Sequence, residues 1–586
     1  MKLTFITISL LITTFITSSI AAKGKFQADD YKKALWMTTR FYGAQRSGKG
    51  PNWLIMEHQN PEYRTSFTKD ADGGTDLEGG WFDCGDHVTF GHTFFYSAYV
   101  LSKAYETFPT GFHDLYNGKT YEDYMKSGNW DISGGKPDGI PDLLEELKYA
   151  TDWIIKATPN ATTFYYEKGE GNLDHKTWVT AGKMSSQSVD QGGEPRKMWK
   201  NPNDGHMASF AAATLAIMSR IYKKFDNSYS QTCLEHAKNA YDYAKPKKNA
   251  AVGAASGGFY GSPKSPVQAF IVAASEMYKA TGKSEYRSDI IDNMNQITDH
   301  YYAFDYSNFH DLAPYTVATS IDSLKTPMLE KMKSLFISKY TGSVNEEKVC
   351  TKGNSGWGAL RYPANHAFVT ALYSSAMKTE ENDQFIYDQV DYIMGANNAK
   401  QSFIVGFCSG CSKSPQLPHH RNVFLRDDNP NDGAKASMTI PDRNKQFGYL
   451  VGGSWTSSSY KESVIDYAMT EGGIDYNAGL VGALAYIVSK LSPADTTYND
   501  NPSSVKTINK TGSGLSIKSF GKMVTISSPA LIKQCTIYAL NGTSVFSLKN
   551  TVSEIKWNTT GIKHGLYLIS LQLNNGTSIC SNLLVR

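Results

Sequence analysis

Apolar and polar positions along the chain repeat with two different periods. From Tyr31 to about Leu491 the apolar residues recur at helical spacing. The clearest stretch is Asp142–Lys156, where Leu143, Leu144, Leu147, Ala150, Ile154 and Ile155 share a face and Pro141 stands at the opening turn. The same spacing predicts helices over His206–Lys223, Thr232–Ala244, Ser265–Ala280, Asn365–Met377, Asp383–Met394 and Ala478–Leu491. Asp, Ser and Asn stand at their starts, and Gly-rich connections separate them. The connection from Gln45 to Thr89 is long and rich in Gly, Asp and aromatic residues, as loops that carry function often are.

After Leu491 the pattern changes. Ser492–Thr507 is polar, contains two prolines and reads as a linker. Beyond it, short alternating or apolar runs predict strands at Lys522–Ile526, Thr536–Leu540, Ser544–Leu548, Ser553–Trp557 and Leu566–Leu573. Asn541-Gly542 and Asn575-Gly576 are turn signals between them. The first residues have the form of an export signal: Lys2, the apolar run Leu3–Ile16, then the small residues Ser19-Ile20-Ala21. The expected organisation is a signal peptide at 1–21, a helical catalytic domain at 26–492, a linker at 493–510 and a small β-sandwich at 511–586. The expected location is therefore outside the cytoplasm, secreted or at the cell surface.

Composition narrows the function. The net charge is only +3 and no Lys/Arg block stands out, which argues against a nucleic-acid or anionic-membrane partner. The chain is 12% aromatic, with 36 Tyr and 10 Trp, and flat rings suit the C–H faces of sugars as well as core packing. Seven cysteines leave at least one thiol without an intramolecular partner. Cys408 and Cys411 form a C-x-x-C without the further ligands a zinc site needs, so a local disulfide or two free thiols are favoured over metal, with zinc left open through His419 and His420. Cys535 and Cys580 are a candidate pair.

Two places look built for carboxylate chemistry. In Gly79-Gly80-Trp81-Phe82-Asp83-Cys84-Gly85-Asp86-His87-Val88, glycines allow a tight loop that turns Asp83 and Asp86 into one cleft, where each perturbs the other's ionisation. In Tyr467-Ala468-Met469-Thr470-Glu471-Gly472-Gly473-Ile474-Asp475-Tyr476-Asn477-Ala478, Glu471 sits in a Gly-flanked turn before the last long helix. A carboxylic acid and a carboxylate are what glycosidic hydrolysis calls for. Alone, the first motif also suits calcium binding or capping, and the second a solvated charge.

Together these motifs resemble glycoside hydrolase family 9, the cellulase family. The first is similar to the family's G-G-W-[YF]-D-A-G-D-H-V-K-F, departing at Cys84 and Thr89. The second is similar to its Glu-x(5)-Asn signature, departing at Gly473, where Ser, Thr or Ala is usual, and at Glu462, where Asp is usual. Ser402–Phe407 with Pro418-His419-His420-Arg421, Phe41–Gly48, Gly139–Leu144, Gly169–His175 and Trp357–Tyr362 follow in the family's order, over roughly Asp29 to Ser492.

The resemblance implies an (α/α)6 barrel of twelve helices in two layers with an open cleft at one end. It implies an endo-β-1,4-glucanase acting on cellulose and related β-glucans with inversion, in which Asp86 is the general base, Asp83 helps hold the water and Glu471 is the general acid. It assigns His175, Trp357, Arg361, His419, Arg421 and Tyr476 to the cleft lining, with Trp357 as a stacking platform, and gives His420 no role. No cofactor is required for this chemistry, and structural calcium is left open, with its ligands unknown. Cys84 is expected to leave both Asp residues in place, and Gly473 to loosen the turn after Glu471. The tail, through Ile537–Gly542, Gly565–Ile569 and Leu583–Arg586, resembles type IX secretion sorting domains, which implies surface anchoring. Competing readings are an exo-acting or processive enzyme on another β-linked glucan, and a carbohydrate-binding surface protein without catalysis.

Overall fold

The computed structural model describes residues 24–48, 77–115, 139–179, 181–263, 266–299, 303–421 and 447–494, then 516–520, 523–539, 542–563, 565–576 and 578–585. The expected signal segment and the expected linker from residue 495 onward lie outside the described residues. The chain forms two compact units, one up to Asp495 and one from Thr496.

Among the described residues of the first unit, twelve α-helices have eight or more residues. They are α1 (Ala28–Ala44), α2 (Gly91–Thr107), α3 (Asp142–Ala157), α4 (His206–Tyr222), α5 (Asn227–Ala244), α6 (Pro266–Thr281), α7 (Ser284–Asn293), α8 (Leu312–Ser320), α9 (Lys325–Met332), α10 (Arg361–Met377), α11 (Asp383–Met394) and α12 (Ile474–Leu491). The even-numbered helices pack against one another in a closed inner ring, and the odd-numbered ones lie outside it. This is the (α/α)6 barrel. Short links such as 223–226, 282–283 and 321–324 make inner and outer helices antiparallel neighbours, so the inner helices all run the same way.

Burial explains which helices the sequence pattern marked. The outer helix α3 has a polar flank and a clean apolar face, as Asp142–Lys156 predicted. In α2 every residue from Gly91 to Tyr105 is buried, so it has no polar face to reveal its period, whereas α12, buried from Ile474 to Val488, was predicted over Ala478–Leu491 and starts four residues earlier. Small side chains on α12, including Gly479 and Gly482, allow α10 to approach closely. A Cβ at Gly479 would stand 2.1 Å from Asn365 Oδ1, and one at Gly482 2.3 Å from the Phe368 ring. No described helix is long and apolar enough to cross a membrane.

Among the described residues, besides a two-stranded ribbon, β1 (Tyr165–Lys168) with β2 (Met198–Lys200), strands are confined to the second unit. There β3 (Ser516–Phe520), β4 (Met523–Ala539), β5 (Ser544–Leu548), β6 (Val552–Asn558), β7 (Gly565–Leu573) and β8 (Ser578–Val585) form an antiparallel six-stranded sheet. The runs at Lys522–Ile526 and Thr536–Leu540, predicted as separate strands, belong to the single strand β4, and β3 and β8 escaped prediction. The first half of β4 pairs with β3 and β6 and the second with β5 and β7, with irregular register around Ser527–Ile532. Trp557 is buried in this unit's core beside Tyr567 and offers no sugar platform. The expected Cys535–Cys580 pairing is not made. Cys535 is a buried free thiol opposite Leu571, whereas Cys580 is opposite Ser570, one residue out of phase and a strand away. Cys408 and Cys411 do form a disulfide.

Candidate active site

The candidate site is assembled from the segments that lead into the inner helices. The loop 77–90 enters α2, 158–179 and 181–205 lie ahead of α4, 245–263 ahead of α6, 357–360 enters α10, and 395–421 and 447–473 lie ahead of α12. Because the inner helices are parallel, these segments meet at one end of the barrel, where helix N-termini favour negative charge.

The loop before α2 is fixed by backbone bonds on both sides. Ser47 N donates to Gly80 O at 2.8 Å, Phe82 N to Gln45 O at 2.7 Å and Asp83 N to Val88 O at 2.9 Å. Gly80 has φ +78°, a left-handed conformation suited to glycine, and Trp81 beside it is buried against Tyr42 and Phe94. Gly85 is needed for space. A Cβ there would stand 2.4 Å from His419 O, because the strap carrying His419–Arg421 crosses over it and Arg421 N donates to Gly85 O at 3.1 Å.

This loop brings Asp83 and Asp86 together, both nearly fully buried. Asp83 accepts from the hydroxyls of Thr93 and Tyr260 and from Cys84 Sγ at 3.3 Å. Burial and the nearby charge of Asp475 push it up to about 7, against those hydrogen bonds. Burial, Asp83 and Asp174 push Asp86 upward as well, while Arg421 opposes them. His175 Nε2 lies 3.9 Å from Asp86 Oδ2, and burial lowers His175 to about 4, so the imidazole is neutral at physiological pH.

Glu471 ends the one-turn helix Tyr467–Thr470, which Asp466 caps, and stands three residues before α12 begins. Its backbone N donates to Tyr467 O at 3.1 Å and its O accepts from Gly452 N at 2.7 Å. The half-buried carboxyl faces the Asp83–Asp86 loop, with Gly85 N 3.4 Å from Oε1. Burial, then the charge of Asp83, raises it to about 8, so Glu471 carries a proton at neutral pH.

The six expected cleft residues divide into two kinds. Trp357 is 45% exposed and packs on Tyr467, whose ring also meets His419. His175, stacked on Phe259 at 4.2 Å, and half-buried His419, held through Nδ1 to Val464 O at 2.5 Å, also face the opening. Arg361, Arg421 and Tyr476 are buried and brace it instead. Arg361 Nη1 pairs with Asp475 Oδ2 at 2.6 Å, with the Tyr476 ring against its guanidinium. Arg421 Nη1 donates to Asp174 Oδ1 at 2.6 Å. His420 accordingly sits in the wall, with Nε2 2.8 Å from Gln45 Oε1.

Several site residues escaped the sequence reading. Asp174 ties three segments together, since Arg196 Nη2 reaches Oδ2 at 2.8 Å, Arg421 reaches Oδ1, and His87 N lies 3.3 Å from Oδ1. Burial would raise its pKa, yet the guanidiniums of Arg421 and Arg196 hold it well below the usual carboxylate range. Tyr260 and Phe259 come from the Gly-rich run Gly253–Gly261, whose two aromatics among glycines were the available signal. Glu462, read only as a departure from the family pattern, accepts from Leu417 N at 2.6 Å and from Gln416 N, and so anchors the strap ahead of His419.

Among the described residues, two sets of ligand-type side chains each bring their donor atoms within 4.8 Å of one another, Asp83–Cys84–Asp475 and Asp86–Asp174–His175. Neither has the all-oxygen donor set calcium takes, since one includes a thiol and the other an imidazole with an Asp already bound by two arginines. The Cys408–Cys411 disulfide removes those sulfurs from any zinc site.

The chain that carries this Glu and Asp pair is similar to known enzymes. An endoglucanase A of Fibrobacter succinogenes is 37% identical over 423 residues, 70% of this chain and 90% of the relative. An endoglucanase B of Cellulomonas fimi is 30% identical over 83% of this chain, which spans 44% of that longer protein. Among solved structures, the endoglucanase of the termite Nasutitermes takasagoensis aligns with TM-score 0.62 at 25% identity, covering 79% of this chain and 99% of its own. A C. cellulolyticum cellulase in complex with cellobiose aligns with TM-score 0.62 at 27% identity, covering 78% and 98%. The model of glycosyl hydrolase family 9 matches residues 31–484, which hold every side chain described above from the Asp pair to Glu471, and the chain belongs to that family.

Proposed function

We propose that this glycoside hydrolase is a secreted endo-β-1,4-glucanase that cuts cellulose and related β-glucans with inversion at the anomeric carbon. The observation that carries the reading is the Glu471 carboxyl facing the Asp83–Asp86 loop across the Gly85 amide, where burial raises its pKa to about 8. In this mechanism Glu471 gives its proton to the leaving glycosidic oxygen. Asp86 takes a proton from the water that attacks the opposite face of the sugar, and Asp83, locked by Thr93 and Tyr260, orients that water. His175 beside Asp86 gives its Nδ1 proton to Gly171 O, so its neutral Nε2 accepts from a sugar hydroxyl or water without adding a positive charge. Trp357 stacks a glucose unit further along. Proton transfers between carboxyls, water and sugar complete the reaction, so no cofactor is needed.

The pH dependence follows from the two roles. Activity rises as Asp86 ionises and falls as Glu471 loses its proton, so kcat/KM should decline above about pH 8 in the wild type. A rate that keeps rising to strongly alkaline pH would remove Glu471 from the acid role. Trp357→Ala is expected to weaken kcat/KM about 2- to 10-fold, the worth of one aromatic stacking contact, with fold stability unchanged because the ring is exposed. An equal loss of thermal stability would mean that the ring braces the fold instead.

Endo action is tested on carboxymethyl cellulose. Internal cuts drop viscosity well before many reducing ends appear, whereas exo or processive cutting releases reducing sugar while viscosity persists. Export and anchoring are part of the same reading. Its supports are the apolar segment Leu3–Ile16 and the resemblance of the C-terminal strands to sorting domains. A chain truncated after Asp495 should then hydrolyse soluble glucan normally yet fail to be retained at the producing cell's surface.

A further inference from the structure

Two of the chain's departures from the family pattern, Cys84 and Gly473, meet in space. Cys84 is buried, with Sγ 3.3 Å from Asp83 Oδ2 and 3.6 Å from the Tyr260 hydroxyl oxygen. A Cβ on Gly473 would stand 2.9 Å from that sulfur and 2.6 Å from Asp475 Oδ1. The Gly473 backbone, at φ −130° and ψ 161°, is extended and open to any residue. Glycine therefore does not loosen this turn, as the sequence suggested. A side chain there would meet both Asp475 Oδ1 and the Cys84 sulfur, which occupy the space.

The contact lies on the seam between the two halves of the candidate machinery. Ile474 N donates to Asp83 O at 2.9 Å, and Gly85 N faces Glu471 Oε1, so the loop with the Asp pair and the turn with Glu471 are joined on both sides of the sulfur. Gly473 is also the N-cap of α12, where a Ser hydroxyl would ordinarily serve the first turn. Asp475 Oδ1, buried in that turn, has no hydrogen-bond partner.

We propose that Cys84 and Gly473 are an interlocked pair of positioning residues, in which the Cys84 sulfur takes the place of a side chain at position 473 and sets the spacing between the Asp83–Asp86 loop and the Glu471 turn. The packing is independent of any catalytic assignment, while its effect on chemistry rests on Glu471 being the acid. The small residue usual at 473 and the sulfur at 84 exclude each other, so each substitution is harmful alone and tolerated with its counterpart. In Cys84→Ala/Gly473→Ser the hydroxyl refills the volume and gives Asp475 Oδ1 a donor.

A double-mutant cycle on the full-length enzyme tests this, with kcat, melting temperature and the alkaline limb of the pH profile as readouts. Gly473→Ser alone should lose about 10-fold or more in kcat and shift the alkaline limb, and Cys84→Ala alone should lose a few-fold. The double variant should recover to within about 3-fold of wild type, with its limb restored. If Gly473→Ser does not fold, Gly473→Ala with and without Cys84→Ala repeats the cycle, and recovery of a folded enzyme in the double variant counts as rescue. A double variant as impaired as Gly473→Ser, or a Gly473→Ser enzyme as active as wild type, would overturn the pairing. Rescue of kcat and melting with an alkaline limb that never moves would keep the packing and overturn the positioning of the acid. Full activity of Glu471→Gln would instead sink the acid assignment and leave the pairing standing.

Discussion

Replacing Glu471 with Gln is expected to lower kcat on β-1,4-glucan by about a thousandfold while raising stability at alkaline pH. The activity loss follows from removing the proton that the leaving oxygen needs. The stability gain follows from linkage. Folding lifts Glu471 from its ordinary 4.5 to about 8, so the folded state holds this proton more tightly than the unfolded chain does. That preference is fully satisfied below about pH 4.5 and is lost as pH rises toward 8, where the wild type must either keep a proton from solvent or bury a charge. Gln never ionises, so the melting temperature of the variant minus that of wild type should be near zero at pH 4.5 and grow up to pH 8. A variant that lost activity because its fold was damaged would melt lower at every pH. Asp86→Asn should lose kcat by a similar factor through loss of the base, and a glucan with an activated leaving group should restore the Glu471 variant but not the Asp86 variant.

Asp174→Asn is expected to cost about 3–5 kcal/mol of stability, although Asp174 is not proposed to touch the reacting bond. Its two oxygens receive Arg196 and Arg421, and all three groups are buried. An amide offers one acceptor and turns an N–H toward the other guanidinium, leaving a buried positive charge without its counterion. The effect is read as a lower denaturant midpoint at unchanged slope. A second consequence has the opposite sign. Asp174 is one of the charges that raise Asp86, so the surviving activity should switch on at lower pH than in wild type. A stable variant with an unmoved acid limb would show that the Asp174 hub neither braces the strap nor feels the base.

How much of this was legible in the sequence depends on how far apart the interacting residues lie. The outer helices α3 and α11 announce themselves because one face meets water. The inner α2 does not, because burial on every side erases its period, and α12 was marked only from Ala478 onward. Asp83, Asp86 and Glu471 were readable because each sits in a compact run of Gly and aromatic residues whose order carries the family pattern. Arg361 and Arg421 were read as cleft-lining residues, yet they hold Asp475 and Asp174, partners 114 and 247 residues away along the chain. No local pattern encodes such pairings. Cys84 and Gly473 show the same limit, since each was visible as a departure while only the fold reveals that they are one change. In the second unit, β4 was split in two because its pairing shifts midway around Pro529, which breaks the alternation a single strand would show.

The central claim, that Glu471 and Asp86 act across a water in a single displacement, is tested most directly by the configuration of the first product. Proton NMR of a β-1,4-oligoglucoside digested at high enzyme concentration should show the α-anomer of the new reducing end appearing first, with β growing in later by mutarotation. A β-anomer that appears first would mean a covalent intermediate and retention, and would contradict the assignment of Asp86 as a base acting through water.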